Sequence, residues 1–251
     1  MFHKTQNLRH IINFKHGGFP VFHIVKVLYP IHTRSVKSLY NYMSYDLYTA
    51  LTAYGDQYPL QISVNCNEIL SELRYFESDW TQYNPRKLPN NRVALSITNS
   101  NGILGPGPDL DSLPEYNAEH GVYLDEYDFV VPTPVYDVFA ECFEPLKKWL
   151  FRCHVIRLGP GGNFPPHIDS YGKAIHSFRL FIPLENCNPY DGYFILEDRI
   201  LHWSHGTMYF INTCKRHLLF NPSGKDMTFV VLNVELNVES MEYILSKDVI
   251  L

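Results

Sequence analysis

Apolar and polar positions change their rhythm at about residue 150. Beyond it, apolar residues recur every second position in short runs, the spacing of strands whose alternate side chains face a core. The runs are CHVIRL (153–158), the stretch 165–169, HSFRLFIPL (176–184), GYFILE (192–197), ILHWS (200–204), TMYFIN (207–212), RHLLF (216–220) and MTFVVLNVEL (227–236). Turn formers separate them: Gly159-Pro160-Gly161-Gly162, Asn188 to Gly192, His205-Gly206 and Asn221 to Gly224. Eight short strands with no helical pattern between them predict a barrel or a double-sheet jelly roll.

The first 150 residues are patterned differently. Val21 to Tyr29 alternates as a strand would, and Val36 to Tyr58 carries apolar residues at helical spacing, with Gly55 as its stop. Asn67 to Tyr75 predicts a second short helix capped by Asn67, and Arg92 to Thr98 a strand. Residues 99–116 predict a long functional loop, and Thr133 to Leu150 a helix with Pro134 in its first turn and a kink at Pro145. No repeat and no linker interrupts the chain. One domain is therefore expected: a buttress over 1–150 that carries substrate specificity, a double-stranded β-helix core over 151–238, and a tail over 239–251. The fold class is mainly β with supporting helices packed on the sheet.

Composition narrows the function. The chain has 251 residues, 45% of them hydrophobic and 15% aromatic, enough for a substantial β-rich core. A net charge of −5 without a basic run argues against nucleic acid. Five cysteines with no CxxC pair argue against a disulfide framework and a structural zinc site. No apolar run reaches membrane-spanning length, and MFHKTQNLRH has no secretory apolar core, so a soluble cytoplasmic chain is expected. The pattern is silent on oligomeric state.

Candidate chemistry gathers around HVIRLGPGGNFPPHID, His154 to Asp169. Residues two apart on a strand face the same way, so His167 and Asp169 can reach one metal ion. A third ligand must come from a distant strand. His217 is the preferred candidate, being several strands further on, and His176, His202 and His205 are its rivals. Two imidazoles and a carboxylate on one face match the facial triad of non-heme Fe(II) oxygenases. The same donors also suit catalytic zinc or manganese, although the HExxH helix of many zinc hydrolases is absent. An Fe(II) oxygenase that uses 2-oxoglutarate needs a cation for the distal carboxylate. Arg179, inside the apolar run SFRLFIPL, is the first candidate for that cofactor contact, and Arg157 the second. Arg92, Trp80 and the 99–116 loop are candidates for shaping the mouth of the site.

RLGPGGNFPPHID, FRLFIPL and RHLLFNPS, followed by a closing apolar strand, together resemble the 2-oxoglutarate/Fe(II)-dependent dioxygenase superfamily, in its aspartyl/asparaginyl β-hydroxylase-like and prolyl hydroxylase-like branches. The resemblance covers about residues 150–238. It implies a double-stranded β-helix, with His167, Asp169 and His217 holding Fe(II). It further implies 2-oxoglutarate and O₂ as co-substrates, ascorbate as a stimulant, and hydroxylation of an amino-acid side chain with release of succinate and CO₂. The substrate would be a small molecule or a peptide. One position departs from the family: where many members place a basic residue on the last core strand, this chain has Asp226, Met227 and Thr228. Two other readings stay open, a non-catalytic cupin-like metal-binding or interaction protein and a metal-dependent cupin isomerase or hydrolase.

Overall fold

The computed structural model describes residues 47–86, 91–169 and 176–247. The expected strand Val21 to Tyr29, and residues 36–46 of the expected helix, lie outside them. The strands are β1 (Gln57–Ser63), β2 (Thr81–Gln82), β3 (Arg92–Ser96), β4 (Thr98–Asn99), β5 (Val131–Pro132), β6 (Leu150–Leu158), β7 (Asn163–His167), β8 (Ser177–Glu185), β9 (Tyr193–Leu196), β10 (Arg199–Ile200), β11 (Thr207–Ile211), β12 (His217–Phe220) and β13 (Met227–Glu235). Seven pair in the order β1-β11-β8-β13-β6-β3-β2, four in the order β10-β9-β12-β7, and β4 pairs with β5.

Alternation along β8 shows how the layers are built. Phe178, Leu180, Ile182 and Leu184 enter one core, with the helical segments, while Phe181 enters another between the two sheets. Both faces of the large sheet are thus covered, so its central strands read as near-continuous apolar runs. The inner core is aromatic: the Phe181 ring lies 4.9 Å from both Trp203 and Phe229 and 5.4 Å from Phe194. Phe194, Leu196 and Leu219 of the small sheet meet Ile156, Tyr209 and Phe229 of the large one in this core. The fold is mainly β, a jelly roll with helices on the outer face of its larger sheet.

Several elements differ from the sequence pattern, each for a local reason. The helix after β1 runs Cys66–Leu73, and Asn65 is its cap, accepting hydrogen bonds from the amides of Asn67 and Glu68. Asn65, not Asn67, has the extended backbone that a cap requires. The expected helix Val36 to Tyr58 stops at Gly55, whose φ is 113°, and the chain turns into β1, which the sequence pattern hid. The expected helix Thr133 to Leu150 divides into Pro134–Val138, Ala140–Phe143 and a 3-10 segment Glu144–Trp149. Non-helical Phe139 makes the first break, and Leu150 already belongs to β6. Within the expected loop 99–116 lie a 3-10 turn at Pro108–Leu110 and the start of the helix Leu113–His120. Of the expected strand 200–204 only Ile200 is extended, in β10. The expected tail carries the helix Val238–Ser246, started by a capping box between Asn237 and Ser240. Among the described residues no helix is long and apolar enough to cross a membrane.

Candidate metal centre and its cavity

The Gly/Pro turn aims β7. Gly161 has φ 72°, and its amide donates to the Asn221 carbonyl at 2.9 Å, while the Asn221 amide donates to the Gly162 carbonyl at 2.9 Å. This lock fixes β7 against β12. Leu219 lies opposite Phe164 and His217 opposite His167, so three residues of β7 match two of β12. The extra residue falls at Pro165-Pro166, which have no amide hydrogens for the ladder. Beyond the strand, the Asp169 amide donates to the Thr213 carbonyl at 3.0 Å, which returns the carboxylate to the two imidazoles.

The structure brings His167, Asp169 and His217 together, with one ligand atom from each within 4.8 Å of the others. His167 Nε2 is 3.6 Å from Asp169 Oδ1, and His217 Nε2 is 3.9 Å from Oδ2. The far nitrogen of each ring is occupied: Nδ1 of His167 lies 2.7 Å from the Pro165 carbonyl, and Nδ1 of His217 lies 3.0 Å from that of Lys215. A carbonyl can only accept, so Nδ1 carries the proton and the Nε2 lone pairs turn toward the carboxylate. Burial pushes the His217 imidazole below its usual pKa, which keeps it in the neutral form that binds metal.

Asp169 Oδ2 is a buried oxygen that accepts no hydrogen bond. Arg179 Nη1 approaches it to 2.8 Å as a counter-charge, but without hydrogen-bond geometry. A carboxylate with an oxygen that accepts no hydrogen bond, faced by two imidazole lone pairs, fits a first-row divalent cation, Fe(II) among them.

The triad opens into a cavity of about 240 Å³ between the sheets, walled by Phe164, Phe194, Leu219 and Phe229. Arg179 lines it, with Nε donating to Asn233 Oδ1 at 3.0 Å. Arg157 is not brought there. It lies 4.0 Å over the Trp80 ring and pairs with Glu77 at 3.0 Å. Neither His176, His202 nor His205 lines the cavity. Two further buried groups do: Arg92, which the sequence placed near the mouth of the site, and His154, which the sequence did not single out as a site residue and whose Nε2 is 3.4 Å from Asp109 Oδ2. Burial holds the His154 pKa below its usual value, so this is a neutral imidazole beside a carboxylate and not an ion pair. The alternation of β6 was the available signal for His154, because Ile156 and Leu158 face the same core.

No family model matches the chain, and no curated protein matches it. Among solved structures it is similar to a Pseudomonas putida prolyl-4-hydroxylase at 10% identity and TM-score 0.44, over 76% of this chain and 98% of that one. It is similar to an oxidoreductase of the 2OG-Fe(II) oxygenase family from Burkholderia pseudomallei at 15% identity and TM-score 0.38, over 67% and 79%. A viral collagen prolyl hydroxylase from Paramecium Bursaria Chlorella virus-1 aligns at 10% identity and TM-score 0.39, over 72% and 94%. Likeness at these levels bears on neither reaction nor substrate. The jelly roll rests on the strand order and registers of this chain.

Proposed function

We propose that this chain is a 2-oxoglutarate- and Fe(II)-dependent dioxygenase that hydroxylates an unactivated C–H bond of an amino-acid side chain, free or within a peptide. The supporting observation is the convergence of His167, Asp169 and His217 on one point at the wall of the cavity, with both imidazole lone pairs and a carboxylate oxygen that accepts no hydrogen bond turned toward it. When bound there, Fe(II) would supply redox chemistry with O₂ and 2-oxoglutarate, which yields succinate, CO₂ and a hydroxylated product. The protein's own part is positional. The Pro165 and Lys215 carbonyls hold the imidazoles in one tautomer. Arg179 balances the Asp169 charge, and Phe164, Phe194 and Phe229 give the cavity apolar walls beside the site.

The test is succinate release by purified protein given Fe(II), ascorbate and 2-oxoglutarate, with Asp169→Ala as the inactive control. A protein that binds Fe(II) through these residues yet never consumes 2-oxoglutarate would be a metal-binding cupin-like module. One active without 2-oxoglutarate would be a metal-dependent isomerase or hydrolase.

A further inference from the structure

Three guanidinium groups line the cavity. Two are matched by carboxylates: Arg152 holds Glu126 at 2.7 Å, and Arg179 holds Asp169 at 2.8 Å. The third, Arg92, is 3% exposed, and no carboxylate among the described residues pairs with it. Its Nε is buried without a hydrogen-bond partner, and its guanidinium carbon lies 4.5 Å over the Phe164 ring. A desolvated charge with no counter-charge is among the most destabilising features a core can hold. Burial lowers the Arg92 pKa, yet a guanidinium stays protonated in proteins. Stacking on Phe164 satisfies one face of the planar group and leaves its N–H edge for a planar, bidentate anion.

The position of Arg92 indicates the shape of that anion. Phe164 pairs with Leu219 as His167 pairs with His217. The receptor therefore sits one rung further along the same strand pair than the metal ligands. Two residues of strand span about 7 Å, the length of a small dicarboxylic acid. We infer that Arg92 is the receptor for a carboxylate at the end, remote from the metal, of the molecule that fills this cavity. The inference rests on the dioxygenase reading for the choice of metal and first probe. The carboxylate could belong to the 2-oxo acid or to the substrate to be hydroxylated, and the test separates these sources.

Full-length protein loaded with Mn(II), which does not support turnover, is titrated calorimetrically with 2-oxoglutarate and with 2-oxopentanoate, which lacks the far carboxylate. If Arg92 receives the 2-oxo acid, wild type prefers 2-oxoglutarate by about 100-fold, and Arg92→Met reduces that preference to a few-fold at unchanged Mn(II) affinity. Arg92→Lys, which keeps a charge without the fork, retains part of it. If the preference survives Arg92→Met, the Mn(II)–2-oxoglutarate protein is titrated with hexanoate. Uptake by wild type that falls tenfold or more in Arg92→Met assigns the carboxylate to the substrate. Equal uptake, or none by either protein, overturns the role of Arg92. A wild type that binds Mn(II) but neither oxo acid ends the dioxygenase reading, and the hexanoate comparison on the Mn(II) protein then decides Arg92 alone. Melting without ligand gives a further check: Arg92→Met should melt no lower than wild type, because it removes an unmatched charge. A marked fall in melting temperature together with an unchanged ligand preference would make Arg92 a packing residue and sink the proposal.

Discussion

His167 and His217 sit directly opposite each other on β7 and β12, with ring centroids 4.2 Å apart. Aromatic neighbours flank both rings, Phe194 at 5.8 Å from His217 and Phe164 at 6.4 Å from His167. Two imidazoles at this spacing repel once protonated, and their Nδ1 atoms are spent on backbone carbonyls. Losing either ring should therefore remove a ligand outright. His167→Ala and His217→Ala are each expected to weaken Mn(II) or Fe(II) binding by more than about 100-fold, since changes around a ligand alone cost 10–100-fold. Competition with a chromophoric chelator measures this, and circular dichroism shows whether the sheets persist. Affinity within a few-fold of wild type in either variant would remove that residue from the site.

This pairing was legible because it depends on short-range rules. The i, i+2 spacing of His167 and Asp169, the turn before them and a later His on an alternating strand are all written locally. Arg92 was legible only as a basic residue near the mouth. Its isolation depends on β3 joining β6 in register, with Arg92 opposite Leu158, and on Phe164 arriving beneath it from β7. Long-range pairings of that kind leave no periodic trace. β1 was missed for a related reason: Gln57–Ser63 follows a helical spacing without a change of composition, and only the left-handed turn at Gly55 separates them. The same holds for Arg157, whose apolar neighbours suggested an interior position, whereas Trp80 and Glu77 hold it on the outer side.

Arg179 and Asp169 form an ion pair that a metal must share. With side chains 26% and 11% exposed, the pair is partly screened, and its contribution is about 1 kcal/mol. Arg179→Met should therefore lower the melting temperature of the metal-free protein by about 2–4 °C. It should also enlarge the rise on adding Mn(II), because no cation then competes for Asp169. Unchanged melting of the metal-free variant would show that the 2.8 Å approach contributes nothing.

Two buried histidines give the stability a pH dependence. His154 and His217 both have folded pKa values below 6.5, because burial disfavours the imidazolium. Above 6.5 the folded and unfolded forms are both neutral there, and the stability is complete. As the pH falls below 6.5 the unfolded chain takes up protons that the folded chain refuses, so stability declines toward the folded pKa values. Melting temperatures of metal-free protein should thus hold between about pH 8 and 7 and fall between about 6.5 and 5. His154→Gln should flatten part of that slope. A slope that is equally steep in the variant would exclude His154 as a contributor.

Adjacent glycines in the turn before β7 should differ in tolerance. A Cβ on Gly161 meets nothing within 4 Å, so Gly161→Ala should carry only the strain of φ 72°, about 1–2 kcal/mol. A Cβ on Gly162 would lie 2.5 Å from the Asn91 carbonyl oxygen and 2.8 Å from that of Gly159, both backbone atoms with little freedom to yield. Gly162→Ala should cost about 1–3 kcal/mol, displace the start of β7 and weaken metal binding. Denaturant midpoints and metal titration on both variants test this, and equal behaviour of the two would show that the turn does not aim His167.

Asp56, far from the cavity in sequence, braces the turn that presents His217. Its carboxylate accepts from Asn212 Nδ2 at 2.8 Å and pairs with Lys215 Nζ at 2.7 Å, and its carbonyl accepts from the Asn212 amide at 2.7 Å. Lys215 supplies the carbonyl that accepts from His217 Nδ1 at 3.0 Å. Removing the carboxylate leaves the pairing of β12 with β7 and β9 intact but frees the turn to move, so the imidazole loses orientation and not its place. Asp56→Ala is expected to weaken Mn(II) binding about tenfold, the lower end of what partners of a ligand contribute. Asp191→Ala, which removes only an exposed pair with Lys225, provides the comparison and should leave metal binding unchanged. If the two variants bind metal alike, the brace is a stabilising surface contact and His217 is held by its own strand.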